Sequence, residues 1–355
     1  MGLKISFFGS SLASFNRNTA APYYKGIVNA LNKNGHKIIF YEQETYRGPA
    51  FTDKEKSDWA NRVFYQSKKS ALLDILSIGS KADLLVKISG EGMFDKELER
   101  KVIQIRKQGQ RIVFWDVDVK TTLERLQKDP NDQLIKLIPE YDIVFTNGGG
   151  QAVIDAYKKL GAKHCIPVYN AVDPETHFPS KPNPVYDCDL SYMGNRLQES
   201  EEMIEEFFFK PATLMTEKSF IIGGKGWENK PLRKNIKYAG DMTENFQNVL
   251  NSTPLTVLNI GKEESNNTSY SPSSAIFEAA GAGACIITDN LEGINSFFEP
   301  GREILLAENG QQVASILDEL APAVAKKIGQ AALRKVLAHH TYAHRAKEIE
   351  KTLDF

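Results

Sequence analysis

Cysteine is scarce: the 355 residues contain Cys165, Cys188 and Cys285, which are not closely spaced and lie in or beside apolar runs. That argues against a disulfide framework and makes buried free thiols in a reducing compartment the expectation. A charge surplus is missing too. The 44 Lys and Arg stand against 45 Asp and Glu, a formal net charge of -1. A chain built around nucleic-acid phosphates or an anionic membrane needs a basic excess, so the balance argues against both while leaving room for a local basic patch. No stretch approaches the ~20 apolar residues of a membrane helix. No hydrophobic leader precedes the first apolar strand, so the cytoplasm is the expected location. Gly2 and Ser6 match a loose myristoylation pattern, but Lys4 to Gly9 is needed as a core strand. Internal repeats and low-complexity runs are absent.

What is present is an alternation. Lys4–Phe8, Lys37–Tyr41, Asp83–Ile88, Arg111–Trp115, Tyr141–Thr146 and His164–Tyr169 are short runs rich in Ile, Val and Phe, the pattern of strands buried on both faces. Helical stretches are expected between them at Tyr23–Asn34, about Lys54–Ile78, Asp95–Gln108 and Gln151–Leu160, with Gly35 and Gly161 as C-cap glycines. Pro174, Pro179, Pro182 and Pro184 then break both helix and central strand, which marks a linker. Alternation resumes with strands at Leu190–Met193, Phe220–Ile222, Pro254–Ile260, Ala284–Thr288 and Glu303–Leu306. Helices follow at about Gln198–Phe209, Thr243–Asn251, Ser273–Ala282, Gln311–Glu319, Ala323–Leu337 and Tyr342–Thr352. Two α/β domains in tandem predict ligand binding in a cleft, at the carboxyl ends of parallel strands.

The segment Ser271-Pro-Ser-Ser-Ala-Ile-Phe-Glu-Ala-Ala-Gly-Ala-Gly-Ala carries the clearest chemistry. Ser271, Ser273 and Ser274 can cap a helix and leave backbone N–H groups for an anion. Glu278 reads either as a solvated helix glutamate or as a carboxylate for two vicinal hydroxyls, as in a ribose. Gly223-Gly-Lys-Gly-Trp puts Gly224 and Lys225 just after a strand, under a base or phosphates or in a plain tight turn; it lacks the Lys-Ser or Lys-Thr of a P-loop. The first-strand loop, Gly9-Ser10-Ser11, falls short of the full dinucleotide fingerprint. Asp116 and Asp118, after Trp115, could include a base for an incoming hydroxyl. They also form a D-x-D metal pattern, but Asp187-Cys-Asp189 repeats it, and about one such triplet is expected by chance in a chain this long. Among His339, His340 and His344, the pair four apart would share a helix face, but no further ligand lies nearby and there is no H-E-x-x-H arrangement. No metal is expected at either place. Gly148 and Gly149 end another strand where a ligand could approach closely.

Several of these segments together resemble a known family. Glu278-Ala-Ala-Gly-Ala-Gly-Ala, Ile286-Ile-Thr-Asp-Asn and Phe297-Phe-Glu-Pro-Gly-Arg-Glu are similar to the CgeB-like (spore maturation protein) branch of the GT-B glycosyltransferases. So, in order along the chain, are Phe7-Phe-Gly-Ser-Ser-Leu, Phe114-Trp-Asp-Val-Asp, Tyr141-Asp-Ile-Val-Phe-Thr-Asn-Gly-Gly, Asn170-Ala-Val-Asp-Pro-Glu-Thr-His-Phe-Pro, Asp189-Leu-Ser-Tyr-Met-Gly-Asn-Arg and His340-Thr-Tyr-Ala-His-Arg. The resemblance implies that Glu278 holds the nucleotide ribose and that Arg196 pairs with the diphosphate, with Lys262 a second candidate cation. It implies that Gly9, Ser10 and Ser11 face the acceptor. Tyr270 stands where many retaining enzymes place a second glutamate near the transferred sugar, and Ala275 stands where an arginine is often found, so the stereochemical outcome stays open.

The resulting expectation is an α/β protein of GT-B class: two Rossmann-like domains with parallel sheets facing across a cleft and a C-terminal helix crossing back to the first domain. The boundaries are 1–172 for the acceptor side, 173–186 for the linker, 187–340 for the nucleotide-sugar domain and 341–355 for the crossing helix. The expected activity is metal-independent transfer of a sugar from a nucleoside-diphosphate donor, with UDP the expected nucleotide. The acceptor is open among a glycan, a small molecule, a protein and a modified nucleic-acid base. A non-catalytic nucleotide-sugar-binding or assembly protein and a GT-B epimerase are the alternatives.

Overall fold

The structure is a computed structural model that describes residues 2–9, 21–44, 61–90, 92–241, 247–260 and 270–354. The chain forms two compact units, one made of residues 1–169 and 345–355 and the other of residues 170–344.

The first unit is built on seven parallel strands: β1 (Lys4–Gly9), β2 (Lys37–Gln43), β3 (Asn61–Tyr65), β4 (Leu84–Ile88), β5 (Arg111–Asp116), β6 (Ile143–Thr146) and β7 (Cys165–Pro167), in the order β3-β2-β1-β4-β5-β6-β7. The central strands are apolar on both sides because helices cover both faces. One face packs Phe8, Leu85, Phe114 and Val144 into a continuous core. The other stacks aromatics: Phe7 and Phe40 lie 4.5 Å apart, and the Trp115 indole N–H donates to Tyr23 Oη at 3.2 Å, which donates in turn to the Val168 carbonyl at 2.7 Å. Strands are added to one side of β1 and then, from β4 on, to the other. The crevice between β1 and β4 is therefore the switch point of this sheet.

The second unit repeats the scheme with β8 (Leu190–Met193), β9 (Phe220–Gly223), β10 (Ile236–Tyr238), β11 (Thr256–Leu258), β12 (Ile286–Thr288) and β13 (Leu305–Leu306), ordered β10-β9-β8-β11-β12-β13 and again all parallel. Its switch point lies between β8 and β11. Leu190, Ile222, Leu258, Ile287, Phe208 and Trp227 share its core. The small-residue run after Glu278 has a packing reason. A Cβ on Gly329 would sit 2.2 Å from the Gly283 carbonyl oxygen, and one on Gly281 would sit 2.5 Å from Val172 Cγ2. These contacts bring the helix at Ser274–Gly281 against the helix at Pro322–His339 and against the segment that follows Val172.

The expected α/β class, with two Rossmann-like parallel sheets, is what the structure holds. Three elements differ from expectation in the first unit. Asn61–Tyr65 is a strand inside the stretch expected to be helical, and the helix there runs from Lys69 to Gly79. Helices at Val119–Lys128 and Gln133–Leu137, not expected from periodicity, follow β5. In the second unit the helix expected to stop at Phe209 continues to Leu214 through a π-type turn at Glu205–Phe209. Pro211, which lacks an N–H, sits just beyond that turn. The last helix starts at Tyr342, and from Arg345 its residues belong to the first unit. There, Glu350 accepts from Asn34 Nδ2 at 2.7 Å and lies 2.9 Å from His36 Nε2.

Candidate functional site

At the carboxyl edge of the second sheet, three strand ends converge beside a helix. β8 ends in Met193 and leads into Gly194-Asn195-Arg196. β9 leads into Gly224-Lys225-Gly226-Trp227, and β11 into Asn259. Between these loops and the helix Ser274–Gly281 lies a cavity of about 230 Å³, lined by Asn195, Gly224, Asn259, Ala275 and Glu278 among others. It sits at the β8/β11 switch point, where a doubly wound sheet offers a crevice without breaking its own ladder.

The floor is fixed by backbone contacts that require glycine. Gly224 has a φ of +117°, and a Cβ there would lie 2.3 Å from the Gly194 carbonyl oxygen. That same carbonyl accepts from the Trp227 indole N–H at 2.7 Å, and Lys225 N donates to Asn195 Oδ1 at 2.9 Å. The two loops are thus locked together by a buried tryptophan and an asparagine.

Glu278 projects from the second turn of its helix with its side chain 19% exposed. His177, from the segment after Val172, stands behind it. His177 Nε2 lies 3.8 Å from Glu278 Oε2 and 3.2 Å from Gln247 Oε1. Thr176 Oγ1 lies 2.9 Å from the other ring nitrogen. An imidazole held on both sides in this way restricts where the carboxylate can turn. At the start of the helix, Ser273 occupies the N-cap, but its side chain makes no capping bond; Oγ pairs with Asn259 Oδ1 at 3.2 Å instead. The first-turn N–H groups are therefore not covered by the serine hydroxyl, which is the arrangement that favours an anion at a helix N-terminus.

The other expected donor residues take the following positions. Arg196 is exposed and tied to Glu201, Nε to Oε1 at 3.1 Å, with its guanidinium 5.8 Å over the Trp227 ring. That pairing holds the Glu201 carboxyl below the usual glutamate range. The Lys225 ammonium lies 3.5 Å from Asp241 Oδ2. Tyr270 shares a hydrogen bond with Ser296 Oγ at 2.8 Å, and its backbone presses on Gly293. Ser274 is partly buried in the first helical turn. Arg196, Lys225, Tyr270, Ser273 and Ser274 do not line the cavity; Gly224 and Glu278 do. Lys262 lies outside the described residues. Asn195, Asn259 and Gln247 line the cavity and His177 backs Glu278, and none of the four stood out as a site candidate in the sequence. Asn195 comes two residues after an expected strand, whereas Asn259 fell inside one, expected to run to Ile260 but ending at Leu258.

In the first unit the expected residues take different positions. Asp116 is wholly buried at the end of β5. It accepts from Tyr157 Oη, from Thr122 Oγ1 at 3.0 Å and from the Asp118 N–H at 3.1 Å. Burial pushes its carboxyl above the usual range, against the pull of the hydrogen bonds from Tyr157, Ser89, Thr122 and the Asp118 N–H. Asp118 is exposed and caps the helix Val119–Lys128 through the Thr121 N–H at 3.2 Å. Gly148 and Gly149 are buried with φ of +89° and +77°, and a Cβ on Gly149 would meet Val153 at 2.4 Å. Gly9 ends β1 with ordinary space around it. Ser10 and Ser11 lie outside the described residues.

Among the described residues no cluster of three or more His, Cys, Asp or Glu could hold a metal ion. His340 packs on the rings of Phe277 and Phe297, 5.7 and 5.5 Å away, and His344 Nδ1 pairs with Thr341 Oγ1 at 2.7 Å. No described helix is long and apolar enough to cross a membrane.

Residues 199–351 match a protein family described as glycosyl transferase-like. No curated protein matches the chain in sequence. Solved structures are similar in fold over nearly the whole chain. Anabaena HepE in complex with UDP-glucose superposes with a TM-score of 0.68 at 12% identity, covering 99% of each chain. An alpha-glucosyltransferase in complex with UDP-glucose and DNA containing an abasic site gives 0.69 at 13% identity, covering 100% of each. A sucrose-phosphate synthase from Thermosynechococcus elongatus gives 0.66 at 14% identity, covering 99% of this chain and 98% of that one.

Proposed function

We propose that this chain, whose residues 199–351 match a glycosyl transferase-like family, is a glycosyltransferase that binds a UDP-linked sugar in the cavity of its second unit. The observation that carries the proposal is Glu278. A carboxylate braced by His177 lines the switch-point cavity, one turn from a helix N-terminus that its cap serine leaves uncovered. A carboxylate suits the two hydroxyls of a ribose, and free helix N–H groups suit the phosphates. HepE and the alpha-glucosyltransferase, similar in fold, are each held with UDP-glucose, which supports UDP as the nucleotide. The ordered motifs shared with the CgeB-like branch support that subgroup and a cytoplasmic setting.

In the transfer step the bond between the sugar C1 and the phosphate oxygen breaks, and C1 bonds to an acceptor oxygen. Negative charge grows on the departing diphosphate. The helix start at Ser273 and Ser274 stabilises it together with Arg196, which exchanges Glu201 for phosphate oxygens. No metal is required by this scheme. The acceptor's proton goes to Asp118, the member of the Asp116/Asp118 pair that solvent reaches; Asp116 is enclosed and its lone pairs are already engaged. Gly9, Gly148 and Gly149 border the same strand edge on the acceptor side. The acceptor stays open among glycan, small molecule, protein and modified base.

Incubation with UDP-glucose and no acceptor tests the reading. Slow release of UDP and free glucose is expected, because water replaces the acceptor. An epimerase would release UDP with a changed sugar, and inertness towards a panel of UDP-sugars would favour a binding protein.

A further inference from the structure

We propose that the first unit carries a second ligand site, at the amino edge of its sheet, for a small molecule with an anionic head and an aliphatic body. This edge is opposite to the one bearing Gly9, Asp116 and Gly148. The strand register creates it: Lys4 of β1 is the Cα partner of Lys37 of β2, and the chain enters β4 just after Lys81, with the Asp83 N–H bonded to the Lys4 carbonyl at 2.8 Å. Three adjacent strands therefore begin beside a lysine. Side chains two residues apart share a face of the sheet, so Lys4 and Ser6 lie on the same face as Lys37, Ile39 and Tyr41. The end of the helix Lys69–Gly79 closes one side of that face with Ile78. The recess between them measures about 520 Å³, within the ~300–1,000 Å³ range of small-molecule sites.

The lining divides by polarity. The ammonium groups of Lys4, Lys37 and Lys81 stand on an exposed rim. None of the three takes part in an ion pair among the described residues, and no carboxylate lines the recess. The floor is mostly apolar. Tyr41 is 1% exposed, Ala82 7% and Ser6 2%, and the Ser6 hydroxyl is already committed to the Gly79 carbonyl at 3.1 Å. Ile39 and Ile78 form the walls. Three features oppose an anion. The helix end contributes about half a negative charge. Asp83 adds one more, although its carboxylate is turned onto the Lys4 N–H at 2.8 Å. Glu350 adds another behind His36 of the lining, 2.9 Å from its Nε2. Three unpaired ammoniums still exceed their sum. The apolar part of the lining, next to the lysines, suits an alkyl chain attached to the anion.

Octyl phosphate, inorganic phosphate and octanol separate the two halves of this chemistry when titrated into the full chain by calorimetry. Octyl phosphate should bind saturably, at least about tenfold more tightly than either half alone, since each tenfold needs ~1.4 kcal/mol. The K4Q/K37Q/K81Q triple variant should lose that advantage while keeping its affinity for UDP. Ile78→Glu, which places a carboxylate on the wall, should do the same without touching the lysines. Equal binding of octyl phosphate and inorganic phosphate, no binding, or unchanged binding in both variants would overturn the proposal. So would displacement of octyl phosphate by UDP or its loss in Glu278→Ala, since either puts the ligand in the second unit's cavity. Binding to phosphatidylglycerol vesicles without binding to octyl phosphate would assign the edge to a membrane surface instead and would also overturn it.

Discussion

The two sheets share one winding scheme, yet their carboxyl edges are finished in opposite ways. Among the described residues of the first unit the edge is filled. Asp116 is enclosed by Tyr157 and Thr122, and Lys87 is fully buried against Asp95 at 2.7 Å beside the switch point. In the second unit the same edge is left open, with glycines where a side chain would fill it and a carboxylate on its wall. Identical topology therefore does not decide where a ligand goes. The side chains that close or leave open the switch point decide it, and in the second sheet they leave a crevice lined by hydrogen-bonding groups.

Substitutions can break this contrast. The largest effect is expected at Asp118. Asp118→Asn should lower transfer on the order of 100-fold by removing the proton acceptor, while stability barely changes because asparagine caps a helix as well as aspartate; steady-state rates and thermal melts check both. Gly224→Ala should destabilise the second unit by about 3 kcal/mol, because a left-handed φ and a backbone clash coincide there, and chemical denaturation measures it. His177→Ala should weaken UDP binding by roughly threefold, the worth of one modest hydrogen bond, and His177→Gln should recover part of the loss if the brace behind Glu278 is what matters.

The smallest effect concerns pH. The folded-state value of Asp116 is raised above its ordinary 3.8 by burial, so the native state favours the protonated form and loses stability as pH rises through that range. Asp116→Asn has no such loss. The stability of the variant relative to the parent should increase as pH rises above 3.8 and level off towards neutrality, with UDP affinity unchanged at every pH. A difference that grows on acidification would contradict the burial argument.

Much of the fold was legible because central parallel strands are continuous apolar runs. The two strands that escaped, Asn61–Tyr65 and Ile236–Tyr238, are both sheet edges. They pair on one side only and mix exposed polar residues with apolar ones, so neither the length nor the period of a buried strand shows. The site was legible where it is local. Glu278 and Gly224 stand in short motifs whose neighbours in sequence are also their neighbours in space. His177 was not legible as a partner of Glu278, because only packing of Gly281 against the Val172 segment brings the two together. Arg196 was expected at the diphosphate, yet in the structure it rests on Glu201, five residues on, a local competitor that spacing alone did not flag.

The most direct measurement is a calorimetric titration of UDP into the full chain and into Glu278→Ala. With the nucleotide in the second unit's cavity and its ribose on Glu278, UDP binds the parent chain and the variant binds at least about tenfold more weakly, the expected worth of hydrogen bonds to a charged group. Equal UDP affinity in the two proteins would remove Glu278 from the nucleotide site and contradict the assignment of the cavity.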